Sequence, residues 1–118
     1  MSLTLRLNIG WEVGNMLILT NENFSKETKS GVTLVDFWAP WCGPCRVLGP
    51  VVDALSQEMK GLKFGKVNVD EQPELSEKFE VASIPTILLF KDGKIIANRV
   101  GATTKETLKD WINSGIKG

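Results

Sequence analysis

The chain of 118 residues has no histidine, no tyrosine and only two cysteines, and its fourteen basic residues are cancelled by fourteen acidic ones. Each shortage excludes something. Tetrahedral zinc takes four N, S or O ligands, so a closed site here would need carboxylates or a second chain. No basic run is present, so nucleic acid finds no electrostatic footprint. No apolar stretch reaches membrane-spanning length. The opening residues lack a continuous apolar core and an Ala-x-Ala cleavage site, so no secretory signal is expected. Internal repeats, low-complexity segments and linkers are missing too. The remaining composition, 42% hydrophobic and 24% charged, is that of one ordinary globular domain, since the length is too short for two.

Both cysteines fall in Trp41-Cys42-Gly43-Pro44-Cys45, between an apolar run (Val32 to Trp38) and a helical pattern. This is what a redox dithiol needs. A strand end holds the first thiol at the surface, and a helix N-terminus supplies positive charge and free N–H groups that stabilise a thiolate, the nucleophile of disulfide exchange. A structural disulfide explains the pair less well. A domain of this length buries its own core, and so short a loop restricts the unfolded chain little. Pro44 presets φ for a first helical turn and lacks an N–H that would be unpaired there. Gly43 leaves room for a substrate backbone beside the sulfur. The lack of histidine at position 44 points to a moderately depressed thiol pKa and a reducing dithiol. One CxxC with no other cysteine fits a reducing compartment, so the expected localisation is cytoplasmic.

The pattern along the chain predicts a strand over Met16–Thr20, then a helix capped by Asn21 and running to about Lys29 with Phe24 as its anchor. Val32–Trp38 is nearly continuous apolar, as for a strand buried on both faces, with Asp36 the exception. The helix after the CxxC carries Val47, Val51, Leu55 and Met59 at i, i+4 spacing, widened by Leu48 and Val52; Pro50 lies inside it and Gly61 is expected to end it. Strands are predicted over Phe64–Val69, Thr86–Phe90 and Lys94–Val100, the last two joined by an Asp92-Gly93 hairpin turn. A short helix is predicted from Pro73 to Phe79. Thr103-Thr104-Lys105-Glu106 fits a capping box for a final helix with Leu108, Trp111 and Ile112 on its apolar face. Leu48, Val51, Phe79, Leu88 and Trp111 are expected in the core. The order β-α-β-α-β-α-β-β-α implies an α/β fold with a mixed central sheet and helices on both faces.

Asp36-Phe37-Trp38-Ala39-Pro40-Trp41-Cys42-Gly43-Pro44-Cys45, followed by Ile84-Pro85-Thr86 and Val100-Gly101-Ala102, closely resembles the thioredoxin family from about Met16 to the C-terminus. The resemblance implies the thioredoxin fold and protein-disulfide reductase activity. Cys42, the more exposed thiol, would attack a client disulfide, and Cys45 would resolve the mixed disulfide. Asp36 would be the buried carboxylate behind Cys45, its pKa raised by burial so that it exchanges a proton with that thiol. Lys66 would be its partner on the neighbouring strand. Pro85 would follow a cis bond that turns the backbone of Ile84 toward the dithiol. Trp41, Gly43, Pro44, Ile84, Pro85, Gly101 and Ala102 would form an apolar docking surface, with Trp38 packed beneath. No cofactor beyond the redox disulfide and no metal is implied; electrons would come from NADPH through a flavin-containing thioredoxin reductase. The implied partners are that reductase and disulfide-containing clients, met as a monomer. Two other readings compete: an oxidant or isomerase of the same fold, and a binding subunit whose redox state is irrelevant.

Residues 1–15 extend beyond the usual family start, leaving 16–118 as the thioredoxin domain. Leu3, Leu5, Leu7, Ile9, Trp11 and Val13 alternate with polar residues or glycine. That is strand periodicity, suited to pairing with a sheet edge or promoting self-association. A competing reading lies in the codons. Trp11-Glu12-Val13 can be written TGG-GAG-GTN, a ribosome-binding sequence a short spacer before Met16, so translation is expected to begin at Met16 and the preceding residues to be a dispensable leader.

Overall fold

A computed structural model of the protein describes residues 16–118 and, for the backbone, the pair Glu12–Val13. A six-stranded sheet in the order β1-β2-β4-β3-β5-β6 forms its centre. It comprises β1 (Glu12–Val13), β2 (Met16–Ile18), β3 (Val32–Trp38), β4 (Lys63–Asn68), β5 (Thr86–Lys91) and β6 (Lys94–Val100). The helices are α1 (Phe24–Thr28), α2 (Gly43–Glu58), α3 (Pro73–Lys78) and α4 (Lys105–Lys117). β2, β4 and β3 run parallel, whereas β5 and β6 join antiparallel, giving the mixed sheet expected from the element order. The predicted alternation of residues 3 to 13 lies outside the described residues except at its end, where Glu12 and Val13 pair antiparallel with Leu17 and Met16 at the edge of the sheet.

β3 occupies the middle of the sheet between β4 and β5, and Thr33 to Phe37 are all buried. Alternate residues of its strands serve opposite faces. On one face Leu34, Phe64, Ile87 and Leu89 pack against Leu48, Val52 and Leu55 of α2 and Leu108 and Ile112 of α4. On the other Val35, Phe37, Val67, Leu88 and Phe90 pack with Phe24 of α1 and Leu75 of α3. Each fully buried Leu, Ile or Phe contributes roughly 1.5–3 kcal/mol, so these two layers hold the sheet that carries the site. Gly65 belongs to the second face, where a Cβ would lie 2.6 Å from Leu19 Cδ1, just beyond β2, so a larger residue there must displace that side chain.

Several local expectations need correction. α1 starts at Phe24, not after Asn21, because Asn23 accepts the Thr20 N–H at 2.7 Å and donates to the Ile18 carbonyl, which turns the chain two residues later. The buried stripe of α2 is Leu48, Val52 and Leu55. Val47 points to solvent at 64% exposure, since i, i+4 spacing from it drifts off the face that i, i+3, i+4 spacing from Leu48 holds. α2 ends at Glu58, capped when the Met59 N–H donates to Leu55, before Gly61 takes its φ of +88°. The cap of α4 is Thr104, whose hydroxyl accepts the Thr107 N–H at 3.2 Å, one residue later than the Thr103–Glu106 box. Val51, Phe79 and Trp111 line the core half-buried and are not enclosed by it. The Asp92-Gly93 turn is as expected: both residues have positive φ, +52° and +86°, matching the twist of the flanking strands.

Candidate active site

β3 delivers the chain to Ala39, and Cys42 then stands as N-cap of α2 with extended backbone (φ −89°, ψ 114°). Gly43 and Pro44 form the first helical positions, where the missing proline N–H costs nothing. Cys42 and Cys45 are joined as a disulfide with Cα atoms 5.2 Å apart. Cys42 Sγ receives the Cys45 N–H at 3.2 Å, so it holds the capping position that a side-chain oxygen fills in other helices. As whole residues the two cysteines are both buried, Cys42 at 5% and Cys45 at 3% exposure. With the disulfide closed, both cysteines cluster with Ala39, and Trp38, Val69 and Ile84 pack against them. What separates them is the helix: Cys42 caps its positive end, while Cys45 belongs to its first turn.

Two further segments meet the dithiol. The Ile84–Pro85 bond is cis, and the Ile84 carbonyl oxygen lies 3.8 Å from Cys42 Sγ. The Gly101 N–H donates to the Pro85 carbonyl at 2.9 Å, and Gly101 has a φ of +99° that favours glycine. Trp41, Gly43, Pro44 and Ala102 are exposed and Ile84 and Gly101 half-buried, but Pro85 itself is buried, so its ring supports the surface from below. A Cβ on Gly43 would touch nothing in the chain; the space its hydrogen leaves opens outward. Trp41, 66% exposed, is held by its indole N–H, which donates to Asp70 Oδ2 at 2.9 Å. Asp70 was not among the residues singled out from sequence. It follows β4 in a turn, and no spacing signal ties it to the CxxC. Val100, next to Gly101 in the chain, is 63% exposed and lines a separate hollow with Phe79, Val81 and Leu88.

Asp36 pairs across β3 with Lys66 of β4 and Ile87 of β5. It lies two residues from Leu34, on the face that α2 covers. It is 2% exposed and its Oδ1 is buried with no hydrogen-bond partner among the described residues. Burial pushes its carboxyl up from 3.8 to about 7, against the pull of the Lys66 ammonium and with a further push from Asp53, a second carboxylate the sequence reading missed. Lys66 does not close an ion pair on Asp36 among the described residues; its ammonium sits 4.6 Å above the Trp38 ring. A carboxyl near neutrality on the face beneath the dithiol helix is suited to take up and return a proton.

The comparisons with known proteins agree with this geometry. The thioredoxin family model matches residues 15–114. The chain is 50% identical to thioredoxin of Bacillus subtilis over 95 residues, covering 80% of this chain and 91% of that one. It is 48% identical to thioredoxin of Chlamydia pneumoniae over 96 residues, covering 81% and 94%. Its structure superposes on a mutant thioredoxin from Halobacterium salinarum with a TM-score of 0.79 and 35% identity, over 85% of this chain and 89% of that one. Relatives of this kind, together with the Cys42–Cys45 pair, make the protein a dithiol–disulfide oxidoreductase with protein-disulfide reductase activity. Sequence, fold and dithiol thus lead to one assignment: the chain belongs to the thioredoxin family.

Proposed function

We propose that Cys42 attacks the client disulfide and Cys45 resolves the mixed disulfide. The observation that carries this order is the capping position of Cys42, whose sulfur already accepts a backbone N–H at the positive end of α2. A thiolate is stabilised there more than one turn further in. In the reduced protein the Cys42 thiolate attacks one client sulfur. The client S–S bond breaks, a Cys42–client bond forms, and the other client sulfur leaves as a thiolate. Cys45 then gives its proton to Asp36 and attacks Cys42 Sγ. The Cys42–Cys45 bond forms, the mixed bond breaks, and the second client sulfur leaves. Two electrons have passed to the client and the protein's cysteine pair is oxidised.

Asp36 fits the acceptor role because its carboxyl, at about 7, binds and releases a proton near neutral pH. Lys66 pulls that value down, so its part is tuning. Gly43 and Pro44 open the dithiol to an approaching backbone. Trp41, Ile84, Gly101 and Ala102, supported by Pro85, receive an extended client segment around the sulfurs. The protein needs no cofactor of its own in this scheme; a flavin-containing thioredoxin reductase returns electrons from NADPH. No helix among the described residues is long and apolar enough to cross a membrane. A reducing dithiol is of most use in the cytoplasm, where client thiols stay reduced. We read the working unit as a monomeric domain of residues 16–118, with 1–15 as an appendage, a division supported by the family match beginning at residue 15.

The test is insulin reduction coupled to NADPH and a bacterial thioredoxin reductase, with dithiothreitol as the alternative electron source. NADPH consumption that needs both cysteines is expected. Insulin reduction by dithiothreitol alone, with no NADPH consumption, would remove the reductase from the scheme. Activity surviving in Cys42→Ser would remove the assigned order of attack.

A further inference from the structure

We propose that a groove between α1 and α3, at the end of the sheet remote from the dithiol, docks an acidic segment of a partner protein by a single aromatic side chain. The groove encloses about 240 Å³ and is lined by Phe24, Ser25, Thr28, Lys29, Lys78, Phe79, Phe90 and Gly93. α1 has five residues and α3 six, and the groove lies between them over Phe90 of β5. Three rings form its floor and wall. Phe24 lies 5.1 Å from Phe79 and 5.4 Å from Phe90, and Phe79 lies 5.3 Å from Phe90, tilted or edge-on. Phe24 and Phe90 are buried, at 3% and 1% exposure, and Phe79 is half-buried, so Phe79 is the ring that offers surface to an incoming aromatic side chain.

The charge on the rim sets the partner's sign. Lys29 and Lys78 are both exposed, and among the described residues neither has an ion pair and no carboxylate lines the groove. The Lys78 ammonium stands 5.4 Å from the Phe79 ring, so a carboxylate reaching it would sit beside the apolar wall. Size sets the kind of ligand. Small-molecule sites commonly enclose about 300–1,000 Å³, whereas this volume suits one aromatic side chain with its flanking acidic residues in solvent. Placement sets the consequence. Phe90 pairs with Thr33, and β3 runs from there to Trp38 beside the dithiol, about 16 Å along the strand. A protein held in this groove leaves the dithiol surface free for a second one.

The test uses the full chain in oxidised form, labelled with nitrogen-15, titrated with an acetylated and amidated Glu-Glu-Phe-Glu-Glu peptide. The expected result is saturable shifts at the amides of residues 24–29, 78–79 and 90–93, with a dissociation constant at or below the millimolar range. The double variant Lys29→Glu with Lys78→Glu should weaken binding about tenfold while insulin reduction is unchanged. The same peptide with lysine in place of glutamate should not bind. Absence of saturable shifts, equal binding by the lysine peptide or the double variant, or shifts centred on Trp41, Ile84 and Gly101 would each overturn the proposal. These outcomes are independent of the order of cysteine attack, which the amides of the remote groove do not report.

Discussion

Replacing Asp36 by alanine should stabilise the oxidised protein, and the gain should grow with pH. Asp36 is 2% exposed and its carboxyl is held at about 7 in place of 3.8, chiefly by burial. The unfolded chain therefore ionises this group first. Between pH 4 and 7 the unfolded state binds fewer protons than the folded one, so stability falls as pH rises through that window and levels off above it. At about 1.36 kcal/mol per pH unit, the ionised carboxyl opposes folding by about 4 kcal/mol at pH 9 and by under 2 kcal/mol at pH 5. Alanine also leaves a small cavity, with a cost that does not depend on pH. The difference between the two pH values thus isolates the charge: the advantage of the variant over the parent should be about 2.5 kcal/mol larger at pH 9 than at pH 5. With urea slopes of about 1–3 kcal/mol per molar, the gap between the two midpoints should widen by about 0.8–2.5 M. Urea unfolding followed by tryptophan fluorescence measures it. The Cys42–Cys45 disulfide keeps the thiols from titrating. A gap that stays constant from pH 5 to 9 would refute the claim that burial holds this carboxyl near neutrality, and with it the proton-acceptor role.

Other outcomes follow from the packing. Gly65→Ala should cost about 1–3 kcal/mol by urea unfolding, because the new methyl meets Leu19, itself 1% exposed, at 2.6 Å. Thr104→Ala should cost about 1 kcal/mol through loss of the α4 cap, while Glu106→Ala stays within about 0.5 kcal/mol; the reverse ranking would restore the Thr103 capping box. Asp70→Ala frees the Trp41 indole and should raise KM for insulin about twofold to fivefold with kcat little changed, as expected for one lost hydrogen bond.

The elements whose ends are fixed by local chemistry were legible in the sequence. Val32–Trp38 is bounded by Gly31, with a φ of +75°, and by the turn into the CxxC, and it folds over the predicted span. β6 does likewise because Asp92-Gly93 fixes where it starts. The dithiol at a helix start was legible for the same reason, since a proline at the second helical position announces that helix. Features that depend on a contact across the fold were not. Asn23 beats Asn21 as the turn residue because the Ile18 carbonyl is within its reach. Val47 fits a helical stripe as well as Leu48 does until β3 and β4 decide which side faces inward. Asp70 and Asp53 enter the site from a turn and from the exposed side of α2, and neither lies at a spacing that the CxxC implies. The burial of both cysteine residues involves Trp38, Val69 and Ile84 packing against them, which the motif alone does not contain.

The proposed order of chemistry is attack by Cys42 and resolution by Cys45. Its most direct measurement is the intact mass of Cys42→Ser and Cys45→Ser after each is mixed, reduced, with oxidised insulin and quenched with acid. A Cys42–insulin mixed disulfide should accumulate in Cys45→Ser and essentially none should form in Cys42→Ser. An adduct on Cys45 of Cys42→Ser, formed as fast or faster, would contradict it.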